Sequence, residues 1–108
     1  MRLVVTTCKP DEAELIADTL LAEGLIASCN IIPRVTTKVR WKGENITQPE
    51  SLLIMRTRAE LIWKLEPRIV ELNSFEVPEV ASIDIKEWNP AYFNWIYKAT
   101  EDPENIRD

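Results

Sequence analysis

The stretch from Asn30 to Thr57 limits the possible folds more than any other part of the chain. It reads as one long β-hairpin. In the first arm Ile31, Pro33, Val35, Thr37, Val39 and Trp41 alternate with Arg34, Thr36, Lys38, Arg40 and Lys42. Strand side chains point to opposite faces in turn, so this spacing predicts one packed face and one polar, basic face. Lys42-Gly43-Glu44-Asn45 is the expected turn, with Gly and Asn supplying positive φ. The return arm runs from Ile46 to Thr57. Each arm has about 12 residues at roughly 3.3 Å, so about 40 Å, whereas most strands have about 5–6 residues. A chain of 108 residues is one domain. It buries about two-thirds of its unfolded surface, enough for one core but not for both arms along their full length. The hairpin tip should therefore project, either solvated or packed on another subunit, and Trp41 near the tip favours the second.

The flanking elements read more simply. Leu3–Thr7 is a first strand. Pro10, Asp11 and Glu12 suit a helix start, Ala13, Ile16, Ala17, Leu20 and Leu21 follow at helical spacing, and Gly24 is the stop, giving a helix over Pro10–Glu23. Leu52-Leu53-Ile54-Met55 is a continuous apolar run, the mark of a central strand covered on both faces. Pro33 and Pro49 lack an N–H, so each marks an edge, a bulge or a bend. A second helix is expected over Ala59–Leu72 with a stripe of Leu61, Ile62, Leu65, Ile69 and Leu72. Pro67 inside it predicts a kink or break. Val77–Lys86 is a fourth strand with Val77, Ala81, Ile83 and Ile85 on one side. Asn89-Pro90 caps a last helix carrying Tyr92, Trp95, Ile96 and Ala99, and residues 100–108 read as a frayed tail. The order is that of the split βαβ, or ferredoxin-like, α+β fold: an antiparallel sheet with helices on one face and a C-terminal helix. Its second strand lies at an edge, and its other sheet face is bare. The bare face and the long hairpin make the same demand, which is another subunit.

Composition narrows the function classes. The net charge is −5, which argues against a free-standing nucleic-acid binder. No apolar run approaches the roughly 18 residues of a membrane span, and residues 1–25 show no secretory pattern. Two cysteines make no disulfide framework, so the cytoplasm is the expected location. The chain has no histidine, which removes the commonest metal ligand and the commonest general base.

Four chemistries are common on this fold. An RNA-recognition sheet needs exposed aromatics on its central strand, and Leu52–Thr57 has none. A soft-metal carrier needs a Cys-x-x-Cys loop. Thr7-Cys8-Lys9-Pro10 offers one thiol, and Cys29 starts an edge strand two strands away. Two buried core thiols are the plainer reading. A phosphate loop needs a glycine-rich nest, which Thr6–Pro10 lacks. A hydrolytic triad needs a base beside a nucleophile, and no such pairing is evident. What remains is a polar and aromatic cluster of Arg56, Phe75, Glu76, Glu79 and Trp95, read either as a ligand pocket or as a structural ion pair. Trp41 and Tyr92 complete the candidate cleft, in which Arg56 would hold an anion by a two-pronged bond.

Several short segments resemble, in order and spacing, the CutA-type divalent-cation-tolerance family: Pro10-Asp11-Glu12-Ala13, Leu25-Ile26-Ala27, Asn30-Ile31-Ile32-Pro33, Trp41-Lys42-Gly43, Glu50, Arg56-Thr57, Phe75-Glu76-Val77-Pro78-Glu79 and Tyr92-Phe93-Asn94-Trp95. The resemblance covers about residues 2–98. It implies a homotrimer similar to the nitrogen-regulatory PII type. It also implies a role in divalent metal tolerance, reported copper binding, a divalent metal ion as the one implied cofactor, and no established catalysis. Small-molecule or metal ligands would sit at subunit clefts, with neither nucleic acid nor membrane as partner. The family's Ala-Cys-x-Asn is replaced by Ala27-Ser28-Cys29-Asn30, and its His-Pro-Tyr by Asn73-Ser74-Phe75. The first change turns the thiol to the other face of the strand, and the second removes a metal ligand. Cys29, Glu76 and Glu79 are what is left as metal candidates, so copper binding is expected to carry over poorly. A PII-type sensor of a small molecule or anion is the alternative, and an enzyme with an inter-subunit cleft is a third reading.

Overall fold

The computed structural model describes residues 1–101. Its elements are β1 (Arg2–Cys8), α1 (Ala13–Ala22), β2 (Ser28–Trp41), β3 (Glu44–Thr57), α2 (Ile62–Leu72), β4 (Ala81–Asp84) and α3 (Pro90–Ala99), with short 3₁₀ turns at Pro10–Glu12 and Ala59–Leu61. The four strands form one antiparallel sheet in the order β2-β3-β1-β4, the expected ferredoxin-like order with β2 at an edge. Val4, Cys8, Leu53 and Met55 on one sheet face meet Ile16, Leu20, Leu65 and Ile69 from the two helices, and this is the core. Gly24 ends the first helix at φ 69°. Its N–H bonds to the Leu21 carbonyl and that of Leu25 to the Leu20 carbonyl, the double bond of a Schellman stop. Arg68 of the second helix then ties it at the surface to Glu23 at the end of the first, at 2.7 Å, and also pairs with Glu71 on its own helix.

The hairpin has two 14-residue arms joined by a two-residue turn, Lys42-Gly43, with φ of 51° and 82°. Positive φ at both central positions is the type I′ turn that matches strand twist. The molecule is 56 Å long against 27 and 22 Å, and the arms account for that length. The strict alternation predicted for the first arm does not hold. Ile32 pairs with Leu52 and Val35 with Glu50, so β2 carries one extra residue at Pro33-Arg34, where Arg34 takes φ 56°. That bulge puts Ile31 on the helix-covered face and Val35, Thr37, Val39 and Trp41 on the opposite one. Pro49 falls where β3 has run past the last β1 pair, Cys8↔Ser51, so no ladder bond is lost there.

The bare face is apolar. Register places Leu3, Val5, Ile32, Leu52, Ile54, Ala81 and Ile83 on it, and Ile32 and Ile83 are 42% and 48% exposed in the single subunit.

Other boundaries differ from expectation for local reasons. The fourth strand covers only Ala81–Asp84, which pairs with Val5 back to Arg2; residues 77–80 come before that pairing and lie outside the sheet. The second helix runs unbroken through Pro67. The carbonyl deprived of its donor is that of Trp63, a residue that is itself 71% exposed at the surface of the helix. The last helix presents little to the core. Of its predicted stripe only Ile96 is buried, while Trp95 is 45% exposed. Asn89 precedes it without a side-chain cap bond. Thr100, expected in a frayed tail, is buried instead. Arg58 donates from Nε to its Oγ1 at 3.0 Å and from a terminal nitrogen to its carbonyl at 2.9 Å. The remainder of the expected tail, 102–108, lies outside the described residues.

Candidate functional site

The site forms because β1 is half the length of the hairpin. After Cys8 the chain leaves the sheet, while β3 continues from Ser51 back to Glu44 with no β1 beside it. The segment 73–80 takes that side. Asn73 holds it: Nδ2 donates to the Thr7 carbonyl at 2.9 Å and Oδ1 accepts from the Phe75 N–H at 2.9 Å. The Thr6 hydroxyl, fully buried, donates to the Glu79 carbonyl at 2.6 Å. The Ser74 N–H reaches Glu12 Oε1 at 3.3 Å.

Between this segment and the hairpin lies a cleft of about 500 Å³. Trp41, Val39 and Ile46 line it from the hairpin, and Phe75 and Val77 from the segment. Its most buried polar member is Glu50, 3% exposed, which accepts from Thr37 Oγ1 at 3.0 Å and from Gln48 Nε2 at 2.6 Å. Both donors are neutral. Glu76 and Glu79 add two further carboxylates, against one lining ammonium, Lys9. Lys42 stands at the mouth, 3.8 Å from Glu76 and 5.6 Å from the centre of the Trp41 ring.

Four of the seven predicted cleft residues therefore meet: Trp41, Phe75, Glu76 and Glu79. The other three do not join them within a subunit. β3 and β4 both run antiparallel to β1, which lies between them, so they share a direction, and the end of β3 is at the same end of the sheet as the end of β4, not its start. Arg56 is opposite Leu3, whereas the Glu79 carbonyl is at Thr6, roughly 10 Å further along β1. Arg56 instead donates to Ser28 Oγ at 3.2 Å and Asn30 Oδ1 at 2.6 Å on the neighbouring β2. Tyr92 and Trp95 belong to an aromatic row with Trp88 on and before the last helix, with ring centres 5.6 and 5.4 Å apart. That helix is fixed at the other end of the sheet, where Arg58 lies 4.9 Å over the Tyr97 ring and the Tyr97 hydroxyl donates to Glu60.

The predicted metal set is likewise divided. Cys29 pairs with Met55 on the helix-covered face, two strands from β1, far from Glu76 at the hairpin tip. Among the described residues no three His, Cys, Asp or Glu side chains are grouped closely enough to hold one metal ion. Burial pushes the Cys29 thiol up to about 11, with Arg56 acting weakly in the other direction, so it is not a ready thiolate ligand. Burial does the same to Cys8, helped by the nearby Glu12 charge.

Sequence reasoning did not select Glu50, Lys9 or Asn73 for the site. The signal for Glu50 is its place just before the apolar Leu52–Met55 run, together with an alternation that must shift at Pro33.

Comparison with known proteins agrees with this architecture. The family described as "CutA1 divalent ion tolerance protein" matches residues 2–99. The divalent-cation tolerance protein CutA of Thermus thermophilus is 34% identical over 98 residues, covering 91% of this chain and 95% of that one. The crystal structure of CutA1 from Pyrococcus horikoshii superposes with a TM-score of 0.89 at 32% identity, over 94% of this chain and all of that one. The PII-like protein CutA from Nostoc sp. PCC 7120, in its apo form, gives 0.88 at 30% identity over 94% and 98%.

Proposed function

The chain belongs to the CutA1 divalent ion tolerance protein family, and from that premise we propose that it is a homotrimeric binding protein of the cytoplasm that acts in divalent metal tolerance or signalling without catalysis. The observation that carries the assembly is the bare apolar sheet face with Ile32 and Ile83 half exposed, beside a hairpin longer than its own domain can cover. Faces of this kind are normally covered by another chain. The binding role draws on the cleft, which has the aromatic walls and few charges usual in small-ligand sites. In the trimer a neighbouring subunit closes its open side. That no histidine stands anywhere in the sequence and both thiols are held neutral supports binding over acid–base or thiolate chemistry.

Hard divalent ions are then held weakly and with little selectivity by carboxylates, and soft ions find no tight site. Calorimetric titration with manganese, zinc and copper, with and without reductant, tests this. The expected result is weak binding throughout. A submicromolar copper site that disappears in Cys29→Ser would contradict it. The likeness to a PII-like protein supports a second reading, a sensor of a small molecule acting through partner proteins.

A further inference from the structure

We infer that the cleft between the hairpin and the 73–80 segment receives a small organic ammonium ion, an alkylated amine with an apolar body. This rests on the reading of the protein as a binding protein and names the ligand class of that cleft.

Three observations lead there. First, the charge this subunit brings to the cleft is net negative. Glu50, Glu76 and Glu79 line the cleft against Lys9 alone, and Arg56, the group that would have held an anion, is elsewhere in the subunit. An anion would face three carboxylates. Second, Glu50 is 97% out of solvent yet accepts only from a hydroxyl and an amide. A carboxylate offers about four acceptor sites, so each oxygen retains capacity for a cation. A buried carboxylate gains most from an opposite charge brought into the same water-poor space. Third, the walls are aromatic. Trp41 and Phe75 face the cleft from opposite sides, and the Trp41 ring already attracts a cation, Lys42, at 5.6 Å. Ring faces attract diffuse, weakly hydrated cations, and boxes of this make-up suit alkylammonium groups. A bare metal ion gains little from aromatic walls and wants several oxygen ligands converging at about 2.0–2.6 Å. Here only neutral donors approach Glu50. Lys42 and its 3.8 Å contact with Glu76, both side chains largely exposed, mark where the incoming ammonium would compete.

The test compares a cation with its uncharged isostere on the intact wild-type protein. Calorimetry with trimethyl(2-hydroxyethyl)ammonium should show binding at least about tenfold tighter than with 3,3-dimethylbutan-1-ol, a difference that charge alone supplies. Glu50→Gln, which keeps an acceptor while removing the charge, should weaken the cation about tenfold. Trp41→Leu should also weaken it, and Lys38→Ala on the outer hairpin face should leave it unchanged. Near-ultraviolet circular dichroism and mass establish that each variant is folded. Equal affinity for cation and alcohol, or no cation binding, overturns the inference, and neither result depends on any variant folding. A parallel titration with manganese and copper separates the two levels. Metal binding without ammonium binding removes the ammonium assignment and leaves the metal role. Ammonium binding without metal binding keeps the assignment and removes the metal role.

Discussion

Replacing Asn73 by alanine should open the cleft without touching its walls. Asn73 is 7% exposed and makes both of its side-chain bonds to backbone: Nδ2 donates to the Thr7 carbonyl near the end of β1, and Oδ1 accepts from the Phe75 N–H. Each bond contributes roughly 1 kcal/mol net, and a backbone group left without a partner costs about 1–3 kcal/mol. The Phe75 N–H lies between exposed Ser74 and Glu76 and can turn to water, while the Thr7 carbonyl is more enclosed. The total loss is about 3 kcal/mol. With a urea slope of roughly 1–3 kcal/mol per molar, the unfolding midpoint should fall by about 1–3 M. The comparison must be made at one protein concentration, since subunit association contributes to apparent stability. Hydrogen exchange should speed up over residues 74–79 and much less in β3. Asn73→Asp keeps the acceptor for Phe75 but turns a second oxygen toward the Thr7 carbonyl, so it should cost at least as much as alanine. An unfolding free energy for Asn73→Ala within about 0.5 kcal/mol of wild type, with exchange over 74–79 unchanged, would refute the reasoning.

Three further outcomes are expected. Arg58→Ala removes both bonds to Thr100 and the cation over Tyr97, and should make α3 sensitive to proteolysis while α1 and α2 stay protected; uniform protection would contradict the latch. Alkaline pH should destabilise the fold. Burial raises both thiols from 9.0 to about 11, so the stabilisation is complete below about pH 9 and is lost as pH rises through about 11; a Cys8→Ala, Cys29→Ser double variant with the same decline over that window would exclude the thiols as its cause. Ile83→Asp sets a charge on the bare face where the single subunit tolerates it, because Ile83 is 48% exposed there. Each subunit would lose about 1 kcal/mol of remaining apolar burial and incur several more for an unpaired buried charge. Sedimentation should show dissociated, folded chains, and an intact assembly would mean that this face is not the interface.

The fold was legible because its signals were local and repeated. Gly24, the apolar run at Leu52–Met55 and the long alternating hairpin each point to one element, and their order admits the split βαβ arrangement. The site was legible only in part. Phe75, Glu76, Glu79 and Trp41 came together because a turn-rich connection and an overlong hairpin flank the same end of β1. Arg56 does not join them because the antiparallel order sets the ends of β3 and β4 at the same end of the sheet, so the start of β4 lies away from Arg56, and grouping the two mistakes strand direction. The Pro33-Arg34 bulge was less accessible. Proline announces some irregularity, but whether one residue is inserted depends on pairing with β3, and that single residue decides that Glu50 shares a face with Trp41. Asn73 read as a helix stop because its second role depends on the Thr7 carbonyl, 66 residues away in the chain.

The central claim is that one subunit is incomplete: its apolar sheet face and long hairpin require neighbours, and the cleft is finished by them. Light scattering on a size-exclusion column at low micromolar concentration tests it most directly. The account predicts a mass three times the 12.5 kDa of the chain, and a stable particle of 12.5 kDa would contradict it.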